Sequence, residues 1–145
     1  MPGPYRDRQI VSYRFRGAHS DTISDMPKLI GSPTQIAAVG NLPKFSDEYV
    51  GIVNTGDSKL SITLMHSPPL WEGIGRTAHF HEFKVVFKGL VRVTSPDGDI
   101  DVEAGQAVHV EPGEWVRFST PSAEGAEYIT VCMPAFSLAA LKRDE

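Results

Sequence analysis

A chain of 145 residues, 41% hydrophobic and 22% charged, is sized for one globular domain with a real core. Its formal net charge of -4 gives no electrostatic reason for nucleic acid or an anionic membrane as partner. The single cysteine, Cys132, excludes an internal disulfide, and neither a secretion-type start nor an apolar run near the roughly 18 residues of a membrane span is present, so the expectation is a cytoplasmic protein.

Residues 1–33 are polar and irregular, with one alternating piece, Gln9–Phe15, that suits an added strand. From residue 34 the chain breaks into short segments rich in β-branched and aromatic residues, punctuated by glycine and proline. They predict strands at Gln35–Val39, Glu48–Val53, Leu60–Met65, Phe83–Phe87, Leu90–Thr94, Asp99–Glu103, Gln106–Val110, Trp115–Phe118 and Glu127–Cys132. Ser95-Pro-Asp-Gly-Asp99 reads as a hairpin connection, because proline presets the first turn angle and Gly98 supplies a positive φ. Asn54-Thr-Gly-Asp57 reads the same way. About nine strands at this spacing predict an all-β sandwich or barrel. Only Phe136–Lys142, opening after Pro134 and ending in a basic residue, predicts a helix. The divisions are an N-terminal extension over 1–33, a β-barrel over 34–135 and a short C-terminal helix or tail over 136–145.

The richest segment is Gly73-Ile-Gly-Arg-Thr-Ala-His79-Phe-His81-Glu82-Phe-Lys-Val-Val-Phe-Lys-Gly89. In a strand, side chains alternate between faces, so His79 and His81 share one face, as two imidazole ligands of a divalent ion require. The pattern Gly-x5-His-x-His followed by Glu-x6-Gly resembles the first motif of the cupin family. Gly105-Gln-Ala-Val-His-Val-Glu-Pro-Gly113 resembles the family's second motif, with both glycines in place and the proline shifted by one. The resemblance covers roughly residues 45–135. It implies an all-β, cupin-type jelly-roll barrel with an interior pocket for a small molecule, and often a homodimer.

The same alignment departs from the family twice. Val116 stands where a third metal-binding histidine is expected, and no residues separate His81 from Glu82 where the family has three or four. Strand parity then leaves two registers open. Either Glu82 and Lys84 face the barrel interior, or His79, His81, Phe83 and Val85 do; a bulge at His81–Glu82 is the third arrangement, bringing His79, His81 and Glu82 together as metal ligands. His66 and His109 stand on other strands as stand-ins for the absent histidine, each better read as structural or surface residues.

Three functions follow. The first is an oxygenase, isomerase or lyase with one divalent ion (Fe, Mn, Ni or Zn) on His79, His81 and Glu82. The second is a metal-free isomerase, lyase or cyclising enzyme in which Glu82 and Lys84 are the catalytic acid–base pair. The third is a ligand-binding module without catalysis. Trp71, Val116 and Phe118 are the candidate lining of the pocket, although Trp71 and Trp115 equally suit core or dimer packing. Cys132, in an apolar strand, reads as a buried small hydrophobe. Gly73-x-Gly75-x-x-Ala78 lacks the strand before and helix after that a dinucleotide fingerprint needs.

Overall fold

A computed structural model describes residues 26–145 of the chain. The strand expected at Gln9–Phe15 falls outside these residues. Within them the regular structure is almost entirely antiparallel strand: β1 (Thr34–Ala38), β2 (Lys44–Val50), β3 (Ser61–Ser67), β4 (Trp71–Glu72), β5 (Arg76–Ala78), β6 (His81–Ser95), β7 (Gly98–Glu103), β8 (Ala107–Val110), β9 (Trp115–Thr120), β10 (Ala126–Met133) and β11 (Leu141–Arg143). They form one curled sheet in the order β1-β2-β3-β10-β6-β9-β5-β11, with β4 on β9 and both β7 and β8 on β6. No helix among the described residues is long and apolar enough to cross a membrane.

The fifteen-residue β6 organises this sheet. Its first half pairs with β10 and β8, its second half with β7 and β9. The turnover falls at Gly89. Before it Glu82, Lys84 and Val86 are buried; after it Val91 and Val93 are buried, so the inward parity changes from even to odd. Gly89 takes φ 72°, a left-handed conformation that suits glycine, and a Cβ there would overlap the carbonyl oxygen of Gly125 on the facing loop. A register shift between Glu127 and Tyr128 of β10 lies opposite the same point. Glycine at this position thus lets one strand serve two parts of the barrel.

The hairpin at Ser95–Asp99 forms as read, with Ser95 opposite Gly98 at φ 130°. The strand expected at Glu48–Val53 instead begins at Lys44 and ends at Val50. The chain turns at Gly51 because the buried Glu48 carboxylate accepts from the backbone N–H groups of Val53 (3.0 Å) and Asn54 (2.9 Å), a local cap that competes with further pairing. In place of a helix over Phe136–Lys142 the tail makes a single 3-10 turn, Leu138–Ala140, and then β11, which pairs with β5. Ser137 caps that turn, and edge pairing with Arg76–Ala78 satisfies the backbone that a helix would have satisfied internally.

Two apolar clusters hold the barrel. Trp71, Val86, Val91, Val93, Val102, Val110, Val116, Phe118 and Tyr128 form the larger. Ala78, Phe80 and Cys132 form the smaller, covered by Phe136, Ala140 and Leu141 of the tail. Burial comes first among the causes that push the Cys132 thiol up to about 12, with the Glu82 charge adding to it, so this residue is an inert packing group.

Candidate active site inside the barrel

β6 adopts the register in which Glu82 and Lys84 point inward; they are 3% and 2% exposed. Lys84 Nζ lies 3.0 Å from Glu82 Oε2 and donates to Thr130 Oγ1 on β10 at 2.9 Å. From β5, Arg76 Nη2 reaches both carboxylate oxygens, at 2.7 Å from Oε2. Lys44, the first residue of β2, completes the group: it is 6% exposed, with Nζ 4.0 Å from the centre of a Trp71 ring and 5.2 Å from that of Tyr128. Lys84 Nζ lies 4.3 Å, and the Arg76 guanidinium 5.0 Å, from the Phe118 ring centre. Three basic side chains therefore surround one carboxylate, between aromatic walls.

Electrostatics divides their roles. Burial pushes the Glu82 carboxyl upward, but Lys84 and Arg76 outweigh it and hold the group at about 2. Glu82 is a fixed anion. Lys84 is lowered, first by desolvation and with help from Arg76, against the pull of Glu82. Lys44 lies well below the usual lysine range, because desolvation dominates and the Lys84 charge adds to it. Two buried donors have no hydrogen-bond partner within the described residues: Arg76 Nη1 and Trp71 Nε1. An unsatisfied buried donor is costly, and an acceptor supplied by a ligand would relieve that cost at Arg76.

Of the residues singled out from sequence, Glu82 and Lys84 meet in this cluster. Trp71, Val116 and Phe118 line it as buried residues, Val116 directly opposite Arg76 in the β5–β9 pairing. The histidines do not join them. His79 is exposed beyond the end of β5, and His81 is on the outward face of β6. There His81 Nδ1 lies 3.0 Å from His109 Nε2, and His109 stacks on Phe83 at 4.2 Å between ring centres. His66 is also outside, 3.4 Å from Glu127. Two imidazoles outside the sheet, a carboxylate inside it already bound by two cations, and a valine at the third position do not fit a shared divalent ion. No group of three or more His, Cys, Asp or Glu side chains that could hold one occurs among the described residues.

Sequence reading missed Lys44, Arg76, Tyr128 and Thr130. Lys44 preceded the strand expected from β-branched residues, and its strand buries Lys44, Ser46 and Glu48, the reverse of the usual apolar-inside pattern. Period-two alternation from Glu48 backwards was the one available signal. Tyr128 OH and Ser67 Oγ share a hydrogen bond of 2.8 Å, which brings the polar lining to the end of β3.

The curled sheet with this two-part β6 matches solved structures over most of the described chain. An oxalate decarboxylase from Bacillus subtilis is similar with TM-score 0.67 and 20% identity, over 86% of this chain and 33% of that one. The chain has the cupin fold. The polyketide cyclase RemF from Streptomyces resistomycificus is similar at TM-score 0.62 and 15% identity, covering 83% of both chains. A variant of the Streptomyces protein PAC13, solved with uridine, is similar at TM-score 0.65 and 11% identity, over 85% of this chain and 93% of that one. The chain spans about a third of the oxalate decarboxylase chain. No family model matches the sequence, and no curated protein matches it either.

Proposed function

We propose that this cupin is a metal-free enzyme acting on an anionic carbonyl compound inside the barrel, in the isomerase, lyase or cyclase class. The observation that carries the reading is the buried Glu82–Lys84 pair, joined by the partly buried Arg76, whose Nη1 is orphaned. Glu82 anchors the two cations. Arg76 Nη1 receives a carboxylate or carbonyl oxygen of the substrate. Lys84, fixed by Glu82 and Thr130, stabilises the negative charge that develops on that oxygen when a neighbouring C–H bond is broken, an electrostatic role strengthened by the dry surroundings. Trp71, Val116 and Phe118 form the apolar walls. In the resting state Glu82 is held at about 2 by Lys84 and Arg76; a bound anion that draws these cations to itself loosens their hold, and the Glu82 carboxylate then takes the proton released from the C–H bond.

Fold similarity to a protein named for decarboxylating oxalate and to a polyketide cyclase is compatible with this class. The reading includes a homodimer in the cytoplasm. Its support is an apolar outward face on which rows Val85–Ile129–Leu64 and Phe83–Val131–Ile62 cross β6, β10 and β3, with Phe87 54% exposed beside them. Light scattering coupled to size exclusion tests the dimer.

The chemistry is testable without the physiological substrate. Exchange of α-protons for deuterium in a panel of 2-oxo and 3-oxo acids, followed by proton NMR in D2O, reads the proposed step directly. Wild type accelerates exchange of at least one panel member, chelators leave the rate unchanged, and Lys84→Met lowers it about 100-fold. Binding of panel members with no exchange in any of them would assign the barrel to ligand binding instead.

A further inference from the structure

Lys44 is the basic residue of the cluster that Glu82 does not hold. Its Nζ has aromatic faces against it but no hydrogen-bond or ion-pair partner among the described residues. Ring faces attract a desolvated ammonium by about 2 kcal/mol or more, but desolvating that ion costs several kcal/mol and no carboxylate is paired with it, so burial here favours the neutral amine. The charged groups near it are Lys84 and Arg76, which oppose its protonation, and Glu82, which is already neutralised by them. Lys44 stands at the barrel rim, where β2 begins and β3 ends, and borders a groove of about 440 Å³ with Ser67, Phe45, Asp47 and His66, while its Nζ faces the interior. Ser67 links the groove to Tyr128 in the interior. The remaining lysines of the described chain, Lys28, Lys59, Lys88 and Lys142, are exposed.

A buried amine held against aromatic faces without a counter-ion of its own, beside cations that attract an anion, has the requirements of a carbonyl-capturing nucleophile. We propose that Lys44 forms a Schiff base with the carbonyl substrate inside the barrel. The inference rests on reading the barrel as a site for anionic carbonyl compounds. The Nζ lone pair attacks the carbonyl carbon, and the oxygen takes a proton to give a carbinolamine. Loss of that oxygen as water, with one further proton, leaves a protonated C=N bond; hydrolysis returns both partners, and no oxidant or reductant is involved. The Arg76 and Lys84 cations sit on the side of the interior where the substrate's carboxylate would be held, and the protonated imine then serves as the electron sink for breaking an adjacent bond.

Reductive trapping tests it. Wild-type protein is incubated with glyoxylate and, separately, pyruvate at pH 7 with cyanoborohydride, and each lysine's modification is measured by peptide mass spectrometry. Lys44 is expected to be modified at least about tenfold faster than any exposed lysine, the factor that one unit of pKa difference supplies. Lys44→Met removes the nucleophile without adding a charge to the interior and is expected to abolish the fast component without changing labelling elsewhere. Modification confined to exposed lysines, or focused on Lys84, overturns the assignment. α-Proton exchange that persists without Lys44 trapping overturns the covalent role while the acid–base reading stands. Trapping at Lys44 without exchange supports the covalent role and removes the acid–base one.

Discussion

Replacing Glu82 by glutamine is the most discriminating perturbation of the cluster. The glutamine amide has the shape of the neutral carboxylic acid, so the variant removes the charge and little else. Glu82 is lowered from 4.5 to about 2 because Lys84 and Arg76 outweigh its burial. At 1.36 kcal/mol per unit, its ionisation contributes about 3 kcal/mol of stability at pH 7. The sign follows from the direction. A depressed carboxylate stabilises the fold above its unfolded pKa, and that contribution is lost as pH falls through the folded value. The difference between wild type and Glu82→Gln should therefore shrink to about 1 kcal/mol at pH 3 and nearly vanish at pH 2. The same interaction, seen from Lys84 and Arg76, is the loss of their counter-ion, and other buried pairs that lose one partner lose about 3–5 kcal/mol, in agreement. Urea unfolding of both proteins, followed by the fluorescence of Trp71 and Trp115 at pH 7, 5 and 3, measures the difference. A loss below about 1 kcal/mol at pH 7, or one that stays constant down to pH 3, refutes the ion-pair account.

Three further outcomes test register and fold. His81→Ala should change stability by less than about 0.5 kcal/mol and leave α-proton exchange intact, because His81 lies on the outward face of β6 against His109. Val116→His restores the family's third histidine, yet titration calorimetry with Zn, Mn and Ni should show no new site, since the inward neighbours of Val116 are cations and aromatic rings. Gly89→Ala should cost more than about 3 kcal/mol or prevent soluble expression, from positive φ and overlap with the Gly125 carbonyl together; thermal unfolding measures it.

The barrel was legible because its signals are local. Gly98 makes a turn that proline begins, and Gly89 marks where β6 changes its inward face; both act within a few residues of themselves. The site was legible only in outline. Parity alone allowed Glu82 with Lys84 inside or His79 with His81 inside, and what selects between them is distant in sequence. Arg76 from β5 and Thr130 from β10 offer Glu82 and Lys84 partners inside, whereas His81 finds His109 across β6–β8 outside. A charged pair enters a dry interior only with such partners, and strand periodicity does not carry that information. The tail shows the same limit. Phe136–Lys142 has helical composition, but β5 is an open edge, and pairing with it overrides a seven-residue propensity.

The polar interior also explains why the barrel cannot be read as a packed core with incidental charges. β2, β3 and β10 bury Lys44, Ser46, Ser61, Thr63, Ser67 and Thr130 on inward faces where apolar residues would stabilise the fold more. Replacing a buried ionic group by apolar residues of similar volume is often neutral or stabilising, so stability alone does not account for three basic side chains around one carboxylate. Arg76 and Lys84 against Glu82 leave that group of three one positive charge in excess, and the other buried carboxylate, Glu48, is turned to the Val53 and Asn54 N–H groups. A monoanionic ligand would cancel that excess and supply the acceptor that Arg76 Nη1 lacks. If the barrel does hold such a ligand, carboxylate-bearing carbonyl compounds should raise the thermal midpoint, whereas their uncharged amides should not. Loss of the carboxylate-specific shift in Arg76→Leu, with the variant still folded, would tie that selectivity to the unpaired guanidinium nitrogen. Equal shifts from acids and amides would mean that the excess charge is balanced in some other way.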